Sequence, residues 1–219
     1  MKKVKAVIFD FNGTLFFDAE YHYQAWEQIV YELLGTSLSE DVIRKLHGHN
    51  NRDILYMIQP NMTEKENENI SKRKEQLYRT ICLSQPHSVE LVKGAIEIFE
   101  VLQDKGIPFT IASASIKENI DFFVEIFSLE KWFTKENIIY DNGKYKNKVK
   151  MFQDACQLLM VDSADCLVVE DSHIGIQAAQ KAGIQTIIGI QPKGDYEALY
   201  QLGTDTCIRD FTEFPMRYF

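Results

Sequence analysis

Val4-Lys5-Ala6-Val7-Ile8-Phe9-Asp10-Phe11-Asn12-Gly13-Thr14 is the stretch whose reading decides the fold. Its first six residues are mostly apolar and β-branched. The run stops at an acid, and a glycine follows three positions later. Such a run, bounded by turn residues, reads as a buried strand entering a loop. Comparable runs recur at residues 109–112, 138–140, 166–169 and 186–190. Helical patterns lie between them, at 95–102, 119–127, 149–160 and 174–182. Gly106 and Gly183 follow two of these helices, where a left-handed residue ends a helix. Strands alternating with helices predict an α/β fold: a doubly wound parallel sheet core, Rossmann-like, with helices on both faces. Such sheets bind ligands outside the carboxyl ends of their strands, and Asp10 falls at one of those ends.

Residues 17–86 break the alternation. They show helical periodicity and no strand pattern. Ala25, Trp26, Ile29, Val30 and Leu33 recur at helical spacing until Gly35. Thr63 with Glu66 forms a capping box that opens a polar helix running to about Cys82. The expected organisation is therefore a catalytic core at 1–16 and 88–219, with an inserted helical cap domain at 17–87. The chain crossings near 16–18 and 86–92 would serve as hinges.

The 219 residues suffice for one sizeable core, or for a core with a smaller insertion. A hydrophobic share of 45% and a charged share of 26% describe an ordinary globular chain. The net charge of −8 argues against nucleic acid or an anionic membrane as the main partner. Cys82, Cys156, Cys166 and Cys207 are widely spaced and make no CxxC pair, so zinc ligation is not expected. The opening Met1-Lys2-Lys3 is too short for a signal peptide, and no run approaches the ~18 apolar residues of a membrane span. A cytoplasmic monomer is the expectation.

Four motifs carry chemistry, each at or just after a predicted strand end. Asp10 can act as a nucleophile towards phosphorus. Ser113 and the Ala114 N–H can hold a phosphoryl oxygen. A lysine within Lys144-Tyr145-Lys146-Asn147-Lys148 can neutralise the transferring group. Glu170 and Asp171 offer hard oxygen ligands suited to magnesium. Each motif has a plain structural alternative when taken alone: a loop with Asp and Gly, a turn or N-cap serine, a solvated loop, or an acidic pair at a helix N-terminus. Together they supply the parts that phosphoryl transfer needs, namely positioning and charge neutralisation.

On these residues the chain resembles the haloacid dehalogenase-like superfamily, and most of all its β-phosphoglucomutase-like subgroup. The resemblance rests on Phe9 to Leu15, Glu20-Tyr21-His22, Ala25-Trp26, Ala112 to Ser115 and Glu170 to Ala179. It implies that Asp10 is the nucleophile and that Asp10, Asn12 through its carbonyl, and Asp171 bind Mg2+ with Glu170 in support. Ser113 and a lysine would hold the phosphate. Gly13, Thr14, Ala114 and Ser115 in the core, and His22, Gly48 and Arg52 in the cap, would face the substrate. Aligning on Tyr140 to Gly143 favours Lys148, ungapped counting back from Phe152 favours Lys146, and Lys148 is chosen.

One departure stands out. The resemblance implies an aspartate two residues after the nucleophile as general acid and base, and this chain has Asn12. A carboxamide transfers no proton. The expected activity is a magnesium-dependent phosphatase acting on a small phosphorylated metabolite such as a sugar phosphate, through an aspartyl-phosphate. A β-phosphoglucomutase is the alternative within enzymes, and a low-turnover protein that binds a phosphorylated ligand is the alternative outside catalysis.

Overall fold

The computed structural model describes residues 3–37, 50–194 and 196–219. The chain forms two compact units: Met1–Phe17 with Glu90–Phe219, and Asp18–Val89.

The first unit is built on a six-stranded sheet in the order β3-β2-β1-β4-β5-β6, with every neighbouring pair parallel. The strands are β1 (Ala6–Phe9), β2 (Phe109–Ile116), β3 (Ile138–Asp141), β4 (Cys166–Glu170), β5 (Thr186–Ile190) and β6 (Thr206–Ile208). All of β1 is buried because strands flank it on both sides and helices cover both faces. The alternation along β1 shows this. Ala6 and Ile8 join Ala112, Val168, Phe152 and Ile176 in one core cluster. Phe9 points the other way, edge-on to Phe99, Phe109 and Phe211. Such aromatic pairs are worth about 0.5–1.5 kcal/mol each beyond their buried area.

Register sets the site. Phe9 stands abreast of Ile111 on β2 and Val169 on β4. The next residue, Asp10, donates its backbone N–H to the Val169 carbonyl at 3.0 Å. Strand order reverses direction between β1 and β4, the place where open α/β sheets bind ligands.

Three elements differ from the sequence reading. β2 does not stop at Ala112 but runs through Ser113 to Ile116, with a register shift before Ile116 meets Asp141. The polar residues that suggested a loop are the continuation of a strand at its irregular end. β6 has three residues, too few for a periodic signal. A helix at Asn51–Ile58 is also new; the Asn50 side chain caps it by accepting the Asp53 N–H.

The second unit holds α1 (Ala19–Leu34), that short helix as α2 (Asn51–Ile58), and α3 (Glu64–Ser84). Trp26 and Ile29 of α1 pack with Ile54 and Leu55 of α2 and with Met62. Thr63 and Glu66 form the reciprocal capping box at the start of α3. The sequence reads α3 as simply polar, yet its Asn67, Lys74 and Glu75 are buried. They tolerate burial because each finds a polar partner: Asn67 donates to the Arg52 carbonyl, and Lys74 meets Glu75 at 2.9 Å. Among the described residues no helix is long and apolar enough to cross a membrane. All four cysteines are free and buried.

Candidate active site

Asp10 leaves β1 4% exposed. Lys148 is the first residue of α4 on the site side, a helix at Lys148–Leu158 capped by Asn147. Its ammonium lies 2.8 Å from Asp10 Oδ1 and 2.8 Å from Glu170 Oε2, so one cation bridges two carboxylates. A cation at a helix N-terminus opposes the helix dipole, and these two acids outweigh that cost. Lys146, two residues earlier, is exposed.

Glu170 ends β4 and is fully buried. Its Oε1 accepts from the Ser172 hydroxyl at 2.6 Å and the Ser172 N–H at 3.2 Å. The same hydroxyl accepts the Gly175 N–H at 3.0 Å and caps α5, His173–Lys181. A β-carbon on Gly175 would fall 2.1 Å from the Glu170 carboxylate, so only glycine lets the helix come this close. Gly13 plays a matching part: its φ is +75°, and a β-carbon there would fall 2.2 Å from Asp171. Thr14 donates to Asp171 Oδ1 at the long distance of 3.5 Å.

Asp10, Glu170 and Asp171 each offer an oxygen, and the three lie within 4.8 Å of one another. Two of these carboxylates, Asp10 and Glu170, share the Lys148 ammonium in a buried place. Burial above all, and then the Glu170 charge, push the Asp10 carboxyl up to about 7 against the pull of Lys148. Burial draws Lys148 down, but Asp10 and Glu170 outweigh it and hold it above the ordinary lysine range. The donors are all hard oxygens with an unbalanced negative charge, which suits a magnesium ion.

Ser113 and Ser115 sit on the last part of β2. Asn12 Oδ1 accepts from Ser115 Oγ at 2.5 Å and from Ser113 Oγ at 3.4 Å. Ser113 Oγ also accepts the Ser115 N–H at 3.2 Å. Ala114 between them is exposed. Ser113 thus lies inside a strand and is no helix cap, and Glu170 belongs to β4 and not to the first turn of a helix.

Of the sequence-selected residues, Asp10, Gly13, Thr14, Lys148, Glu170 and Asp171 lie together, and Asn12, two residues on from Asp10, makes a second contact set with Ser113 and Ser115. His22 and Arg52 belong to the helical unit, and Gly48 lies outside the described residues. Both His22 ring nitrogens are engaged there: Nδ1 lies 2.7 Å from Lys74 Nζ, and Nε2 lies 3.2 Å from Asp18 Oδ2. Arg52 pairs with Glu64 at 2.9 Å on an exposed surface and lies over Tyr56. Sequence reasoning missed Ser172 and Gly175 as supports for Glu170. The serine followed three residues later by glycine, just after two acids, was the available signal.

A family model described as haloacid dehalogenase-like hydrolase matches residues 7–188. The chain is 26% identical over 222 residues to a β-phosphoglucomutase of Bacillus subtilis (strain 168), covering 97% of this chain and 92% of that protein. It is 25% identical over 216 residues to a phosphorylated carbohydrates phosphatase of Thermotoga maritima, covering 94% of each. Among solved structures, a family IA, variant 3 haloacid dehalogenase-like hydrolase from Entamoeba histolytica HM-1:IMSS matches with a TM-score of 0.91 and 34% identity. That match covers 100% of this chain and 97% of the other.

Proposed function

The chain belongs to the haloacid dehalogenase-like hydrolase family, and on that premise we propose that it is a magnesium-dependent phosphatase of a small phosphorylated metabolite. The observation that carries this reading is the convergence of Asp10, Lys148 and the Glu170-Asp171 pair at the β1/β4 switch point. Asp10 attacks phosphorus and becomes the aspartyl-phosphate, from which water releases phosphate. Lys148 holds the attacking carboxylate and offsets charge on the transferring group. Ser113 presents its hydroxyl to a phosphoryl oxygen. Asp10, Asp171 and the Asn12 carbonyl would hold Mg2+, with Glu170 behind them. When bound, the ion supplies positive charge to the equatorial oxygens of the phosphoryl group.

The phosphatase from Thermotoga maritima makes carbohydrate phosphates the first class to assay. Phosphate release from a metabolite panel should need magnesium, vanish with a chelator, and vanish in Asp10→Ala. Equal release by that variant would sink the reading. The β-phosphoglucomutase relative supports a second reading, a mutase. Asn12 counts against it, because a mutase moves a proton in both half-reactions. Conversion of β-glucose 1-phosphate to the 6-phosphate, dependent on a bisphosphate primer, would favour the mutase. The non-catalytic alternative also rests on Asn12: ligand binding without turnover, relieved by Asn12→Asp, would select it.

A further inference from the structure

The arrangement around Asn12 constrains the leaving group. Asn12 stands two residues beyond Asp10, in a loop tied back by the Gly13 N–H to the Phe16 carbonyl at 2.8 Å. Its amide oxygen faces β2 and is held by the Ser115 and Ser113 hydroxyls at 2.5 and 3.4 Å. That fixes which edge of the carboxamide faces which way: the oxygen turns to the serines, and the NH2 edge turns from them. An NH2 edge can give a departing oxygen one hydrogen bond, but it cannot give it a proton.

Two titratable groups beside Asp10 already have their polar atoms engaged. Lys148 is committed to both Asp10 and Glu170. Glu170 is enclosed by Lys148 and Ser172. Without a proton from Asn12 an alkyl ester would expel a bare alkoxide, whose conjugate acid is about as weak as water. A carboxylate or a phosphate departs as a stable anion and needs no proton, since a carboxylic acid ionises near about 4.

Resting on the aspartyl-phosphate reading above, we propose that the natural substrate is a phosphoanhydride, its phosphoryl group joined to a carboxyl or another phosphoryl oxygen, and not a simple sugar ester. In the first step an Asp10 oxygen forms the new bond to phosphorus. The phosphorus–anhydride oxygen bond breaks, and its electron pair leaves with the carboxylate or phosphate. In the second step a water oxygen bonds to phosphorus and the aspartyl oxygen–phosphorus bond breaks. Asp10 is restored as a carboxylate, phosphate is released, and the water's spare proton passes to phosphate or solvent.

The test compares kcat/KM with magnesium for acetyl phosphate, pyrophosphate, glucose 6-phosphate and a series of aryl phosphates from dinitrophenyl to phenyl. Asp10→Ala serves as background for each. The wild-type protein should favour at least one anhydride over glucose 6-phosphate by about a hundredfold or more, and its aryl rates should fall steeply as the leaving phenol becomes more basic. Asn12→Asp should flatten that slope and raise glucose 6-phosphate turnover by about 10²–10⁴-fold. Ser115→Ala frees the carboxamide without adding an acid and should leave the slope steep. Preference for acetyl phosphate assigns an acyl phosphate, and preference for pyrophosphate assigns a diphosphate. Glucose 6-phosphate turned over as fast as either anhydride, or a slope unmoved by Asn12→Asp, overturns the substrate class and leaves the phosphatase standing. No turnover of any probe above Asp10→Ala removes the phosphatase, and this proposal with it.

Discussion

The two units each bury charged side chains, and they do so in opposite ways. In the helical unit the groups alternate. Asn51 donates to Glu75 at 2.6 Å, Lys74 touches Glu75 at 2.9 Å and His22 at 2.7 Å, and His22 and Tyr78 both meet Asp18 Oδ2. Tyr78 stacks on the His22 ring at 4.0 Å. Donor faces acceptor along the whole line. In the α/β unit, three carboxylates lie within 4.8 Å of one another, and a single ammonium bridges two of them. Alternation is how a fold makes buried charge tolerable. Convergence of like charges works against stability and is the mark of a site kept for chemistry.

The sharpest way to break this contrast is to neutralise one member of the converging set. Asp10→Asn should cut phosphate release by at least about ten-thousandfold. In metal-free buffer it should also melt higher than the wild type, because the carboxyl it replaces is held at about 7 by burial and by Glu170, an environment that disfavours its charge. A lower melting temperature would contradict the picture of a site under repulsion.

The same operation on the alternating set should act the other way. Lys74→Met takes from the buried Glu75 the cation at 2.9 Å and should destabilise the protein by about 3–5 kcal/mol in urea titration. Lys74 is only 2% exposed, so solvent cannot take its place.

Acid offers a third comparison. Burial pushes Glu75 up, but the charges of Lys74 and His22 and the hydrogen bonds from Asn51 and Lys74 prevail and bring it from its ordinary 4.5 down to about 2. A depressed carboxyl stabilises the folded state above its unfolded value. That contribution, about 3 kcal/mol, should be whole above pH 5 and fade as the pH falls towards 2. Glu75→Gln should flatten the acid limb of the stability curve, and an unchanged limb would assign the loss to other groups.

The smallest effect concerns how closely a helix approaches the converging acids. Gly175→Ala puts a methyl 2.1 Å from the Glu170 carboxylate and should cost about 1–3 kcal/mol of stability while weakening magnesium activation. A magnesium titration of activity, read beside the melting temperature, separates the two effects.

Much was legible in the sequence because it is written locally. Alternating strand and helix patterns predicted the parallel α/β sheet, and the abrupt ends of the apolar runs at Asp10 and Glu170 marked the strand ends outside which such sheets bind ligands. The capping box at Thr63 and Glu66 needed only four residues to be read. Asn12 stood out in the sequence as a departure from the pattern that the family resemblance implies. Three-residue β6 and the inward turn of Lys74 left no local trace, because each depends on what packs against it.

What the tertiary structure alone decided is which distant groups meet. Lys148 rather than Lys146 reaches Asp10 and Glu170, the Ser115 hydroxyl reaches Asn12, and Gly175 lets a helix close on Glu170. The physical reason is register. Periodicity tells which way a side chain points along its own element, but the level at which β1 pairs with β2 and β4 fixes which residues stand side by side at the sheet's edge, and that level is set only when the strands hydrogen-bond.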